Sequence, residues 1–200
     1  MSTMAISAKD VKELRDRTGA GMMDCKRALE ETGGDMEAAV DLLRAKGAAK
    51  AAKREGKSAN EGVIGTYIHH SGKVGVMVEL NCETDFVANT DDFQSLARDI
   101  AMHIAASKPL AVSSESIPAH EVERERAVYR AQLEEEGKPE NIREKILEGK
   151  MKKWFKDMAL LEQPFVKDPD QTIGQLVTNI SAKTGEKIEV ARFSRFAIGE

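Results

Sequence analysis

Along this chain the apolar residues recur first at helical spacing, then at alternate positions, then at helical spacing again. Ser7 with Asp10 three residues on has the form of a capping box, which predicts a helix start. Val11 and Leu14 share the face that follows, and Thr18-Gly19-Ala20-Gly21 ends it. A second helix from about Met23 gathers Cys25, Ala28 and Leu29, and Thr32-Gly33-Gly34 breaks it. Asp35 can cap a third, in which Met36, Ala39, Val40 and Leu43 follow i, i+3, i+4, i+7. Short helices joined by short loops predict a compact bundle of about fifty residues, small enough to bury only a modest core.

The period then falls to two. Residues 62–68 are rich in β-branched side chains, His69-His70-Ser71-Gly72 supplies a turn, and Val74, Val76, Val78 and Leu80 alternate with Gly75, Met77 and Glu79. This predicts a hairpin with one face in a core. The pattern changes abruptly at 81–87, and a helix pattern runs through Phe93, Leu96, Ile100 and Ile104 to Lys108-Pro109. Residues 119–157 read as a helical hairpin. Val122, Tyr129 and Leu133 lie on the first arm, and Gly137-Lys138-Pro139 forms the turn. The second arm carries Ile142, Ile146, Leu147, Met151 and Phe155, with charges at most other positions. After Pro164-Phe165-Val166, Thr172 opens a helix with Ile173, Leu176, Val177 and Ile180, and Gly185 ends it. A last strand sets Ile188, Val190, Arg192 and Ser194 against Glu189, Ala191, Phe193 and Phe196. The expected fold is α+β: a three-helix N-terminal module, a small antiparallel three-stranded sheet with helices, and an inserted helical hairpin. The expected domains are 1–57 (module and basic linker), 58–118 with 159–200 (core), and 119–158 (arm).

Composition narrows the functions open to such a fold. The chain has 200 residues, with 30 Lys and Arg against 34 Asp and Glu, a net charge of −4. That balance argues against coating nucleic acid through bulk positive charge. One Trp, two Tyr and six Phe stand against nine Met, so the core must be mostly aliphatic. Cys25 and Cys82 lie far apart and form neither a CxxC pair nor a disulfide framework. Reduced thiols in a cytoplasmic protein are therefore expected. Lys9 and Asp10 interrupt any signal-peptide core, and no apolar run is long enough to span a membrane. From Arg44 to Lys57, six cations face only Glu55. Read alone, that run is either a solvated helical linker or a contact for an acidic partner or the ribosome.

Few groups are placed for bond chemistry. Gly56-Lys57-Ser58 resembles the end of a P-loop, but the leading glycine would fall at Ala51 and no strand precedes it. His69 and His70 are adjacent, His103 and His120 stand alone, and neither cysteine has a ligand-spaced neighbour. No metal site and no cofactor are expected, and no nucleophile motif supports catalysis by Cys82 or a histidine. The informative segment is 79–93, where a strand delivers Thr84-Asp85-Phe86 to a helix start. Thr84 or Asp85 can accept from free backbone N–H groups there. Phe86 in the first turn is either a plug that packs the helix onto the sheet or a wedge for a partner's pocket. Met22 and Met23 pose a similar alternative. Two consecutive methionines cannot both face the core of so small a bundle, so either both edge it or one is exposed as an adaptable contact. Arg15 and Lys26 flank them.

The runs VKELRDRTGAGMMDCKRAL at 11–29 and ELNCETDFVAN at 79–89 resemble the two signature stretches of the bacterial elongation factor Ts family. IAMHIAASKP at 100–109, GKMKK at 149–153 and QPFV at 163–166 continue the resemblance over nearly the whole chain. It implies a guanine nucleotide exchange factor, with no bond chemistry, for elongation factor Tu in its GDP-bound and nucleotide-free forms. It implies an N-terminal module of the ubiquitin-associated type, and from the charge balance and the lack of apolar spans no direct nucleic-acid or membrane binding is expected. By the same resemblance, Thr84, Asp85, Phe86 and Val87 disturb the partner's magnesium site. Arg15, Met22, Met23, Lys26, His103, Phe165 and Val166 make further partner contacts. The chain matches the short form of the family, with half of a duplicated core and no further C-terminal helix, which implies a homodimer. A helical protein-binding adaptor is the competing reading, and the Thr84-Asp85-Phe86 junction is the feature an adaptor does not need.

Overall fold

The computed structural model describes residues 6–200. It has two compact units, one of residues up to 63 with 80–96 and 175–189, the other of 64–79, 97–174 and 190–200.

The first unit opens with α1 (Ala8–Thr18), α2 (Met22–Glu31) and α3 (Met36–Ala52). The Ser7–Asp10 capping box forms in both directions, and Gly19 ends α1 in the left-handed region at φ 66°. Asp35 caps α3 through a hydrogen bond from the Ala38 N–H. Val11, Leu14, Cys25, Ala28, Leu29, Ala39 and Val40 form one buried cluster, with Met36 and Leu43 packed at its border. The 44–57 run continues α3 as far as Ala52. Its cations are partly used within the chain: Lys46 pairs with Glu31, Lys50 with Asp24 and Arg54 with Glu83. A Cβ on Gly47 would lie 3.2 Å from the Ala182 Cβ, so small residues let α3 approach the last helix closely.

The strands are β1 (Glu61–Ile68), β2 (Val74–Cys82), β3 (Pro164–Phe165), β4 (Asp168–Thr172) and β5 (Ile188–Ala197). The main sheet has the order β1-β2-β5. The His69 N–H donates to the Val74 carbonyl across the β1–β2 turn. The Ile198 N–H donates to the Lys73 carbonyl. Arg192 meets Glu79 further along. As β2 advances β5 therefore runs back, and the sheet is antiparallel. Val76, Val78, Leu80 and Cys82 point into the core, as the alternation predicts. β5 departs from the expected alternation. Ile188 and Val190 are buried, but Ala191 and Arg192 are both exposed, and Ser194 and Phe196 are then exposed as well. Arg192, Ser194 and Phe196 share a face because they are two residues apart, so Phe196 does not oppose the other two as expected, and the phase reversal turns all three away from the core that Ile188 and Val190 enter.

The remaining helices are α4 (Asp85–Ala88), α5 (Asp91–Ser107), α6 (Ala119–Glu135), α7 (Glu140–Met158) and α8 (Ile173–Thr184). In the second unit α6 and α7 form the predicted hairpin, turning at Gly137 with φ 64°. Leu133, Leu147, Met151 and Trp154 pack in its core with Ile117 and Ala111. The antiparallel β3–β4 pair adds a two-stranded ribbon that the alternation did not signal, because β3 has only two residues and β4, DPDQT, has no large apolar residue to alternate.

Candidate functional site

The period change at 81–87 folds as a turn of its own. The sequence places Phe86 at the start of the long helix, but the structure gives it a separate four-residue helix, α4, ahead of α5. Thr84 is the N-cap and its hydroxyl accepts from the Val87 N–H at 3.4 Å. The Asp85 carbonyl accepts from both the Asn89 backbone and side-chain amides, which closes the turn. Ala88 is buried and Val87 half-buried, while Asp85 is exposed. Phe86 is 82% exposed, which excludes the packing-plug alternative in this conformation. By contrast Phe93, on α5, is fully buried. An aromatic ring left in water forgoes the burial free energy of its side chain, which a partner that covers it would recover.

Two carboxylates hold this turn from behind. Glu186 Oε2 accepts from the Glu83 N–H at 3.1 Å and the Thr84 N–H at 3.0 Å. Glu186 Oε1 accepts from the Thr84 hydroxyl at 2.7 Å. In return, Glu83 Oε1 accepts from the Lys187 N–H at 2.7 Å, and Arg54 reaches the same carboxylate at 3.2 Å. Cys82 lies beneath, its thiol donating to the Thr84 carbonyl at 3.1 Å. Burial, reinforced by the Glu186 carboxylate, pushes the Cys82 thiol pKa up, and burial does the same to Cys25. Both cysteines are free and buried, and a raised pKa keeps a thiol protonated and a poor nucleophile.

On the N-terminal helices the residues leave Met22 and Met23 either both edging the core or one of them exposed, and the resemblance implies partner contacts at both. The structure exposes both, Met22 at 54% and Met23 at 64%. They sit at the first positions of α2, where Cys25, Ala28 and Leu29 already fill the inward face. Arg15 and Lys26 are exposed as well. Lys26 lies 3.8 Å from Glu30, a loose surface pair.

The resemblance also implies partner contacts at His103, Phe165 and Val166, and these three fall together in the second unit. Only Val166 is exposed; His103 is fully buried and Phe165 is 5% exposed. The Val166 N–H donates to His103 Nδ1 at 3.3 Å, so Nε2 carries the proton and donates to Gln163 Oε1 at 2.9 Å. Gln163 in turn donates to the Asp157 carbonyl at 2.6 Å. Burial lowers the His103 pKa, partly offset by the Gln163 hydrogen bond, so the ring is held neutral. His103 and Phe165 therefore act as a mount beneath Val166. Gln163, which completes the chain, has no sequence signal beyond its place in the QPFV run.

Among the described residues no three His, Cys, Asp or Glu side chains converge as a metal site would need. Among the same residues no helix is long and apolar enough to cross a membrane.

Residues 8–200 match the family model described as Elongation factor TS. The chain is 59% identical over 195 residues to an Elongation factor Ts from Desulfosudis oleivorans, covering 98% of each protein. It is 58% identical over 195 residues to an Elongation factor Ts from Carboxydothermus hydrogenoformans, covering 98% of this chain and 90% of that protein. A third relative of the same name, from Syntrophobacter fumaroxidans, is 54% identical over 197 residues, with 98% of each covered.

Proposed function

Because the chain belongs to the elongation factor Ts family of translation elongation factors, we propose that it is the guanine nucleotide exchange factor of elongation factor Tu. It binds the GDP-bound GTPase, promotes loss of GDP without bond chemistry, and leaves when GTP enters. The observation that carries this reading is Phe86, a large apolar ring 82% exposed on a turn fixed by hydrogen bonds on both sides. Such a group is suited to enter a preformed pocket with little ordering cost. A helical adaptor has no use for it.

The physics of exchange is linkage. A factor that weakens GDP binding by some ratio is itself weakened by GDP in the same ratio. Its contacts must therefore compete with what holds the nucleotide, the magnesium ion and the phosphate cradle. In this proposal Thr84, Asp85, Phe86 and Val87 enter beside the magnesium site. Arg15, Met22, Met23 and Lys26 form a separate docking patch, and Val166, seated on His103 and Phe165, forms another. Excess magnesium opposes the factor, because the two favour opposite states of the GTPase.

The functional unit proposed is a homodimer. One face of the main sheet presents Ile64, Ile68, Met77, Phe196 and Ile198, all exposed. An exposed apolar patch of this kind can be covered by the same patch of a second copy across a two-fold axis.

The deciding experiment is release of a fluorescent GDP analogue from elongation factor Tu. Substoichiometric amounts of this protein should accelerate release many-fold, and no acceleration would reject the exchange reading.

A further inference from the structure

Glu186 lies 102 positions from Thr84, yet it supplies the main acceptor of the Thr84–Val87 turn. Its carboxylate takes two backbone N–H groups and the Thr84 hydroxyl at 2.7–3.1 Å. The hydroxyl proton is thereby committed to Glu186. That leaves the oxygen's lone pairs to face the Val87 N–H, the bond that starts α4. The rotamer of the cap, and with it the direction of the next residue's backbone, depends on a group outside the segment.

Glu186 is itself rigidly held. Gly185 ends α8 at φ 75°, its N–H donating to the Ser181 carbonyl. The buried Ser181 donates its hydroxyl to the Glu186 carbonyl at 2.5 Å. Next in sequence, the Lys187 N–H donates to Glu83. The two segments thus clasp one another, each offering a carboxylate to the other's backbone. Charged acceptors make the stronger hydrogen bonds, and half-burial of both residues limits competition from water.

We infer that Glu186 is a positioning residue for nucleotide exchange: its carboxylate fixes the Thr84 cap so that Phe86 is presented in one orientation. This rests on the exchange function proposed above and names a residue that acts on it without touching the partner. The wedge then needs no ordering on entry, so its binding free energy goes into displacing magnesium and GDP.

The test measures release of the fluorescent GDP analogue against factor concentration for wild type, Glu186→Ala and Glu186→Gln, with thermal melting alongside. Glu186→Ala should lower the maximal release rate by about tenfold, the scale of a lost charged hydrogen bond. The concentration giving half that rate should move much less. Glu186→Gln keeps one acceptor oxygen and should fall between. The Glu83 and Thr84 amides should exchange with deuterium faster in both variants, which a remote structural defect would not single out. If Glu186→Ala does not fold, Glu186→Gln combined with Thr84→Val decides. Coupled groups predict a double variant little worse than the poorer single one, and independent additive losses would overturn the inference. A folded Glu186→Ala protein with wild-type release at every concentration would also overturn it while leaving the exchange reading intact. A wild type that fails to accelerate release would remove the exchange reading and this inference together.

Discussion

Phe86 and Phe93 flank one helix boundary and meet opposite environments, and that contrast separates function from stability at the residue scale. Phe93 is fully buried, so Phe93→Ala should cost about 3–5 kcal/mol of folding stability. Phe86 has little to lose in the free protein. Phe86→Ala should leave the melting free energy within about 0.5 kcal/mol of wild type. The same variant should lose about 2 kcal/mol or more of transition-state stabilisation in GDP release, the loss of a hot-spot anchor. Normal exchange by Phe86→Ala would remove the wedge from the mechanism. His103 makes a different kind of prediction. Its folded pKa lies below the ordinary 6.5, so the unfolded chain takes up a proton first as the pH drops. The stability contributed by the neutral ring is complete above about pH 6.5 and is lost as the pH falls from there through the lowered folded pKa. Denaturant titrations of wild type and His103→Gln across that window should show the slope only in wild type. Phe86 was legible in the sequence because aromatics are scarce and the hydrophobic period breaks around it. Glu186 was not, since one glutamate after a glycine looks like any solvated charge until folding brings it 102 positions back to Thr84.

At the scale of elements, the helices and the hairpin were legible wherever caps and spacing agreed. Ser7, Asp35 and Gly185 start or end their helices as the pattern predicts, and Val76, Val78 and Leu80 face inward together. The elements that depart from the pattern are those whose period is interrupted. α4 closes within one turn on side-chain and backbone bonds from Asn89 and Thr84, so the helical spacing that begins at Phe93 belongs to a different element. In β5 the alternation changes phase at Ala191–Arg192, which a strict period of two cannot register. Gly65 shows a constraint of a third kind. A Cβ there would lie 2.8 Å from the Ala97 carbonyl oxygen, so β1 touches the backbone of α5. Gly65→Ala must push the two elements apart and should cost about 1–3 kcal/mol, as overpacking does. A melt indistinguishable from wild type would show that the contact yields freely.

At the scale of the whole molecule, the open question is what covers the outward face of the sheet. Ile64 and Ile68 come from β1, Met77 from β2, and Phe196 and Ile198 from β5 and the residue after it, all exposed. The phase change in β5 is what turns Phe196 outward, since an unbroken alternation would have put it on the side of the buried Ile188 and Val190. Glu79 and Arg192 pair on the same face and satisfy one another, which leaves the apolar positions as its unsatisfied part. A patch of this composition is a liability in a monomer and an asset in an isologous dimer, where each copy covers the other with about 800 Å² per partner. Light scattering on the isolated protein should give twice 22.0 kDa. Ile68→Glu and Phe196→Asp should each place two like charges at the centre of the proposed contact and shift the species toward a single chain. Neither residue belongs to the Thr84–Val87 turn, so the monomeric variants also ask whether each copy exchanges nucleotide alone. A wild-type protein that scatters as one 22.0 kDa chain at micromolar concentration would exclude the dimer and leave the apolar face to another partner.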